Sequence, residues 1–355
     1  MREERSLSPS TKRIADLVAT VSRAPDDAVW RDAFRHEFGR LRTELNLHPA
    51  ESTAAATFAA AAQTARRVAA DCLPLSLALV MHLYPLCALR CVPLPWWSSA
   101  SHRRSLLLHA IDRGSLILAN AGSERANGAH IPVKLTQSQD GIRVDGTYEY
   151  VSLAHVADVV LFSAPLAGTD CAMFCAADLR SASVRIGSSR FGGRMRVSDT
   201  CSVTFDNHRV PVERSIVVPN ESALDCMAQY QRSWFQLLLG ESYLARIEQL
   251  RRQWELPLSA TDIASLNEVR LLKEYSLRLL DEATSSSAVE SLSRVTAAVK
   301  LRISWIAQST AATLRHLDEM SANELGYFRL QPTSDDRILR SIGVVTATPT
   351  SSAAA

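Results

Sequence analysis

The chain has 355 residues, of which 47% are hydrophobic and 21% are charged, a composition typical of a folded globular protein rather than of a disordered or fibrous one. Its 39 basic and 37 acidic residues give a formal net charge of +2, which gives no support to nucleic acid or an anionic membrane as a dedicated partner. The opening residues, MREERSLSPSTKR, lack the apolar run of a secretory signal, so we expect a cytoplasmic protein.

Residues 1–114 are predicted to form an N-terminal helical domain. Apolar residues recur every three or four positions in DDAVWRDAFRHEFGRLRTEL, and STAAATFAAAAQTARRVAADCL is an alanine-rich helix former with a serine at its start. The apolar run from Cys72 to Leu89 contains His82 and two prolines. We therefore interpret this run as a buried core helix with breaks, not as a membrane span.

Residues 115–220 are predicted to form a small antiparallel β domain. Apolar and polar residues alternate in GIRVDGTYEYVSLAHVADVVLFSAP, where Asp145-Gly146 indicates a tight hairpin. Further predicted strands are CAMFCAADL, SVRIG and DTCSVTFDNHRVP. In the stretch from Arg194 to Pro211, one strand is expected to lead into a second that ends at Pro211, because proline has no N–H for ladder pairing.

Residues 221–355 are predicted to form a C-terminal four-helix bundle, since long stretches with helical periodicity alternate with short polar loops. The whole chain is thus expected to have an α+β fold, with helices, a small β domain and helices in that order. The seven cysteines include no CxxC pair and no histidines at metal-ligand spacing. They predict reduced buried thiols and no metal site.

Four motifs in this order resemble the acyl-CoA dehydrogenase superfamily. VDGTYEYVS is similar to the family's N-G-x-K-x-W-I-T hairpin, SERANGAH to T-E-P-G-A-G-S-D, and LGYFRLQPTSDDRILR to G-Y-x-x-x-x-P followed by two arginines. The fourth is the stretch that ends at Pro211, which resembles G-x-R-x-S-x-T-x-x-V-x-F-x-x-V-x-V-P. Its matching residues are Gly193, Met195, Arg196, Ser198, Thr200, Val203, Phe205, Arg209, Val210 and Pro211.

The resemblance implies a flavoprotein that binds FAD between the β domain and the bundle, within a homodimer or homotetramer. It places Ser123 where a family hydroxyl faces the flavin ring, and Tyr150 and Ser152 where residues flank that ring. Arg251 and Trp254 resemble a pair that meets the pyrophosphate and adenine of a neighbouring subunit's cofactor. An arginine suits a diphosphate because its planar fork donates two hydrogen bonds.

The chain departs from the family at the catalytic base. Dehydrogenation of an acyl thioester needs a carboxylate to remove the α-proton. One of the two family positions for that glutamate falls near Pro349 and the other near Gln231, and neither residue is a base. The paired glycines that let the backbone approach the pyrophosphate correspond to Asn323 and Glu324, where a carboxylate repels phosphate.

Three functions follow from this pattern. The first, which we predict because it is the commonest activity on the scaffold that the family resemblance implies, is oxidation of an acyl thioester, carried on coenzyme A or an acyl carrier protein, at its α,β-carbons, with electrons passed to an electron-transfer partner. It requires a displaced base, for which the sequence offers Glu241, Asp318, Glu319 and Glu324.

The second function is a flavin monooxygenase on the same scaffold, which receives reduced flavin from a separate reductase and needs no α-proton base. Relatives of this kind often place a histidine near the flavin, and His82, His130 and His155 are available. The third is a catalytically silent relative that acts as a binding or assembly subunit. Bound flavin distinguishes the third from the first two.

Overall fold

The computed structural model describes residues 44–95, 97, 100–121, 133–191 and 193–330, together with residues 12, 13, 16, 32, 35, 36, 38, 39 and 41. Helices precede two small sheets, and further helices follow them. The predicted α+β class is therefore confirmed. Ser123, His130 and Pro349, for which the sequence made predictions, lie outside the described residues.

Three helices are described in full before the sheets: α1 (Ala54–Asp71), α2 (Leu73–Cys91) and α3 (Ser101–Gly114). The N-cap of helix α1 is Thr53, one residue after the predicted serine, because the Thr53 hydroxyl accepts the N–H of Ala56 at 3.1 Å and caps the first turn.

Helix α2 is the core helix that the apolar run predicts, but the predicted breaks are wrong. The helix is continuous through Pro85. In the described part of the chain it is the one helix that is long and apolar enough to cross a membrane, and 89% of its most apolar window is buried inside the protein. Its apolar residues pack against other elements on all sides, so no amphipathic face is needed.

The first sheet has the strand order β1-β4-β5-β8. Strand β1 pairs with β4 in parallel, which the antiparallel prediction did not include, and the other pairs are antiparallel. The strands are β1 (Leu118–Ala121), β4 (Val159–Pro165), β5 (Ala172–Asp178) and β8 (Ser215–Val218).

The second sheet has the order β2-β3-β7-β6 and is antiparallel throughout. Aromatic side chains join the two sheets, since the Phe162 ring lies 5.8 Å from that of Tyr148 and 5.4 Å from that of Phe205. The strands are β2 (Val133–Ser138), β3 (Gly141–Val151), β6 (Val184–Ser189) and β7 (Cys201–Val210).

Two local predictions in this region are wrong. The hairpin lies at residues 139–140, between Ser138 and its partner Gly141, whereas Asp145-Gly146 lies inside β3. Gly146 has a φ of 125° beside a register shift against β7, so its backbone freedom serves a β-bulge rather than a turn. The segment Gly193–Ser198 is a 3₁₀-helix instead of a strand, although β7 does end before Pro211 as predicted.

The C-terminal helices are α4 (Glu221–Gln253), α5 (Ala260–Glu282), α6 (Ser286–Leu314) and α7 (Glu319–Gly326). Helix α7 has only eight residues, so the described part of the bundle contains three long helices and one short one. Helix α4 packs against both α1 and α2 as well as against α6. A single apolar core therefore runs from the N-terminal helices through the bundle.

Candidate functional site

A polar pair lies at the carboxyl end of β1, where the chain enters the segment that contains Ser123. The Asn120 amide donates a hydrogen bond to the hydroxyl of Tyr84 on α2. Both side chains are buried, at 9% and 6% exposure. The Tyr84 ring stacks on Phe235 of α4, with ring centroids 4.8 Å apart and planes 20° apart. Three elements thus meet at one uncharged polar group.

The Tyr84 phenol is held neutral. Burial raises its pKa, and the hydrogen bond from Asn120 opposes that rise without overcoming it. No charged side chain among the described residues contributes to this shift. Because the phenol oxygen accepts from Asn120, its own proton remains available to donate to a group bound beside it.

The predicted base position on the bundle, Gln231, lies one helical turn from Phe235. Gln231 is half-buried and precedes Phe235 by four residues on α4, so the two side chains share one helix face. Phe235 in turn stacks on Tyr84, and this ring contact is the link between that face of α4 and the Tyr84–Asn120 pair.

Glu241 and Glu324, the candidate displaced bases, are held by cations elsewhere in the bundle. Glu241 is 4% exposed and accepts from Arg66 at 2.9 Å and from Lys273 at 2.8 Å. It follows Gln231 by ten residues on α4, which corresponds to about 15 Å along the helix. Such a carboxylate stabilises helix packing and is poorly placed to remove a proton at Gln231.

Glu324 is buried on α7 at 3% exposure, 3.6 Å from the guanidinium of Arg246. Arg246 also donates to the Ala70 carbonyl and the Ser321 hydroxyl, which fixes it between α1, α4 and α7. The Glu324 carboxylate, which stands where the family resemblance implies a glycine, is therefore part of the bundle core. Asp318 caps the same helix by accepting the N–H of Ser321.

Tyr150 is the second-last residue of β3, and Ser152 follows the strand directly. Tyr150 is 51% exposed, as expected for an aromatic residue that faces a ligand. Ser152 is 7% exposed, and its hydroxyl lies 2.8 Å from that of Thr200, which in turn lies 2.8 Å from that of Ser198. The Ser152 hydroxyl is thus committed to an internal network. Whether either residue contacts a flavin stays a prediction.

Arg251 is engaged by its own chain. Its guanidinium donates to Asp262 at 2.9 Å, to the Pro257 carbonyl at 2.6 Å and to the Thr310 hydroxyl at 3.0 Å. These contacts give the arginine a role in joining α4, α5 and α6. Trp254 lies just beyond the end of α4 and is 36% exposed. The predicted phosphate and adenine contacts of this pair stay untested.

The histidines differ in their partners. His82 is fully buried and bridges two backbone groups, with Nε2 at 2.7 Å from the Leu47 carbonyl and Nδ1 accepting the Leu118 N–H at 2.9 Å. It joins α2 to β1 as a structural residue. His155 lies in the loop after β3, and its Nδ1 is 2.7 Å from the Asp199 carboxylate.

The sequence reasoning missed Tyr84, Asn120 and Phe235. A signal was present for the first two, since Tyr84 interrupts the apolar run of α2 and Asn120 is the one amide in the buried strand LANA. Asn120 and Tyr84 are 36 positions apart in the sequence, and a local sequence pattern cannot predict a contact across that separation.

No family model and no curated protein matches this chain. Several solved structures do match it. KijD3 in complex with FMN and dTDP-3-amino-2,3,6-trideoxy-4-keto-3-methyl-D-glucose matches with a TM-score of 0.66 and 16% identity, over 96% of this chain and 95% of that one. TdsC from Paenibacillus sp. A11-2 with FMN and indole matches with a TM-score of 0.68 and 16% identity, over 94% of each chain.

Butyryl-CoA dehydrogenase from Megasphaera elsdenii matches with a TM-score of 0.67 and 12% identity, over 95% of this chain and 98% of that one. At these identities the likeness shows the fold. The chain has the fold of the acyl-CoA dehydrogenase superfamily, which confirms the resemblance drawn from the four motifs.

Proposed function

We propose that this protein is a flavin-dependent monooxygenase that uses reduced flavin mononucleotide from a separate reductase. The carrying observation is the buried, uncharged pair of Tyr84 and Asn120 against Phe235, which lies one helical turn from Gln231, the position where the family resemblance places a catalytic carboxylate. An oxygenation reaction has no α-proton to remove, so a neutral site suits it.

The cofactor assignment rests on the fit of the two halves of a dinucleotide. For the ring half, the Tyr84–Asn120 pair offers a hydrogen-bond donor, and Tyr150, which the family resemblance assigns to the flavin ring, offers an exposed aromatic face. At the adenylate half, Arg251 is occupied by Asp262, and Glu324 puts a buried carboxylate where a pyrophosphate would approach. The residues therefore fit a mononucleotide better than the FAD that the family resemblance implies.

The KijD3 and TdsC structures, which hold FMN, support this choice. A bound reduced flavin supplies the electrons that activate dioxygen. Beside it, this chain would contribute one proton donor. Tyr84 is buried between α2 and the Phe235 ring, and it holds its proton because burial raises its pKa. Its hydroxyl would orient the reacting group by donating a hydrogen bond.

The apolar side chains of α2 and the Phe235 ring favour an uncharged, largely apolar substrate. The TdsC match includes a structure described as dibenzothiophene monooxygenase, with 15% identity and a TM-score of 0.62. We propose an aromatic heterocycle or a similarly apolar small molecule, because no charged side chain is described at the Tyr84 pair.

Oxidation of an acyl thioester is the second candidate, supported by the likeness to butyryl-CoA dehydrogenase. It would need a base other than the uncharged side chains of Tyr84, Asn120 and Gln231.

An oxygen-isotope experiment separates the two functions. The protein is incubated with FMN, NADH, a flavin reductase, ¹⁸O₂ and a panel of aromatic heterocycles, and the products are analysed by mass spectrometry. We expect one ¹⁸O atom per product and no product without the reductase. In a parallel anaerobic reaction, acyl-CoA should leave added oxidised FAD unbleached. Bleaching by acyl-CoA would overturn the proposal in favour of dehydrogenation, and failure to bind any flavin would favour the silent subunit.

We also propose self-association through the bundle, as the family resemblance implies. Large apolar side chains are exposed on the outer faces of α5 and α6, and they are Ile263, Leu271, Tyr275 and Trp305. Light scattering of wild type and of Leu271→Glu would test this surface, and a wild type that is monomeric at every concentration would refute it.

A further inference from the structure

Three potential metal ligands meet at the end of the β domain opposite to the Tyr84 pair. The His155 Nδ1 lies 2.7 Å from Asp199 Oδ1, and Cys201 Sγ lies 3.6 Å from that nitrogen and 3.7 Å from that oxygen. The side chains of His155 and Asp199 are 7% and 0% exposed, and Cys201 is fully buried. A nitrogen, an oxygen and a sulfur thus form a small triangle inside the protein.

We propose that His155, Asp199 and Cys201 bind one zinc ion. The nearest point equidistant from the three atoms lies about 2.0 Å from each, close to the lengths of zinc bonds to nitrogen and oxygen, but it lies in the plane of the three atoms. A tetrahedral site would therefore need the His155 nitrogen and the Asp199 oxygen to separate to about 3.3 Å and the Cys201 sulfur to shift outward by a few tenths of an ångström. Imidazole, carboxylate and thiolate together form a donor set that suits zinc.

The charges also balance. Zinc binding would release one proton, from the Cys201 thiol, and the His155 imidazole would bind through Nδ1 as the neutral tautomer that carries its proton on Nε2. The buried cluster would then be neutral, because the Asp199 carboxylate and the Cys201 thiolate balance the divalent cation.

The backbone holds the ligands in place without the ion. Asp199 Oδ2 accepts the N–H of His155 at 2.7 Å, so Oδ1 is aimed at the cluster. Asp199 itself has a φ of 50°, and its N–H donates to the Arg196 carbonyl at 3.0 Å. These contacts fix the carboxylate between the loop after β3 and the start of β7.

A cavity of about 470 Å³ is lined by His155 but not by Asp199 or Cys201. Its walls include Phe38, Ile117, Leu179 and Ile186, with Arg35 and Arg180 at polar positions. Three protein ligands leave a fourth zinc position, which a water molecule or a ligand from this cavity would fill.

Metal analysis of untagged protein tests the site. After dialysis against a zinc buffer, we expect about one zinc per chain, and about one cobalt after substitution, since all three ligands are preorganised. Cobalt bound to a thiolate gives a charge-transfer band in the near ultraviolet. Cys201→Ser should abolish that band and lower zinc content at least tenfold, whereas Cys171→Ser, which alters a partly exposed thiol away from the cluster, should change neither.

The wild type alone can overturn the proposal, which keeps the test independent of whether Cys201→Ser folds. Wild-type protein with a native circular dichroism spectrum, no stoichiometric zinc and no cobalt–thiolate band would show that Asp199 only caps its loop by hydrogen bonds. A band of wild-type intensity in a folded Cys201→Ser variant would equally refute it.

Discussion

The two ends of strand β1 differ in the kind of polar group that the protein buries there. At the Ala121 end, Asn120 and Tyr84 form a neutral pair against Phe235. At the Leu118 end, the Asp158 carboxylate accepts the N–H of Ile117 at 2.8 Å, close to the His155–Asp199 pair. The first group keeps its protons because burial disfavours the charged form, whereas the second is built from carboxylates and hydrogen bonds to them.

This contrast indicates a division of roles. Ionised groups in the described part of the chain have partners that tie helices and loops together, as Glu241 does between α1, α4 and α5. The neutral pair joins α2 to β1, and its phenol retains a proton to donate. Proton abstraction requires a base. The carboxylates of Asp158 and Asp199 lie at the Leu118 end of β1, away from the Tyr84–Asn120 pair at the Ala121 end.

The largest expected effect is on catalysis at the neutral end. Tyr84→Phe removes the proton donor and keeps the stacked ring, so we expect the rate of oxygenated-product formation to fall about a hundredfold. Binding of FMN should change little, because the ring contacts remain.

Tyr230→Phe is the matched control, since Tyr230 is equally buried and donates to the Leu280 carbonyl at 3.1 Å within the bundle. Its activity should stay near that of the wild type. Equal activity of Tyr84→Phe and wild type, measured as product per unit time at saturating reduced FMN, would remove Tyr84 from the mechanism.

Local patterns predicted the order of helices and strands because periodicity is a short-range property of the chain. They failed where a long-range choice decides between equal local signals. Asp140-Gly141 and Asp145-Gly146 are both hairpin dipeptides, and only the pairing of β3 with β2 and β7 determines that the first ends the turn while the second enters a bulge.

The same limit applies to the sites. His155 and Cys201 are 46 residues apart in the sequence, so their spacing predicted no metal site, and only the pairing of Val151 with Cys201 in β3 and β7 brings them together. The resemblance to a family identified the fold through four motifs. It could not identify Tyr84, whose partners Asn120 and Phe235 lie outside those motifs.

A smaller effect is expected when a charged bundle residue is neutralised. Glu241→Gln leaves Arg66 and Lys273 without their buried partner, so the free energy of unfolding should fall by about 2 kcal/mol. Glu248 is the other partner of Arg66, and its side chain is 52% exposed. Glu248→Gln should therefore lower the free energy of unfolding by less than about 1 kcal/mol. Urea unfolding measures both, while oxygenation activity of the folded variants should stay at the wild-type level. A specific loss of activity in folded Glu241→Gln would return this residue to the list of bases.

The smallest expected effect concerns the pair formed by Arg251 and Asp262. Burial acts to raise the pKa of the Asp262 carboxyl, but hydrogen bonds from Ser259 and the charge of Arg251 outweigh it and hold that pKa below its ordinary value. A lowered folded-state pKa contributes stability above the unfolded value of about 3.9, and that contribution is lost as pH falls through the folded pKa. Wild type should therefore exceed Asp262→Asn in stability by about 1 kcal/mol at pH 6, and the difference should shrink below pH 4. Urea unfolding across this range measures the difference, and a difference that stays constant with pH would contradict the ion-pair role.

Arg251→Ala should lose similar stability and leave the FMN dissociation constant unchanged, because the Arg251 guanidinium binds Asp262 of α5 rather than a phosphate. A marked weakening of flavin binding in that variant would instead support the phosphate contact that the family resemblance implies.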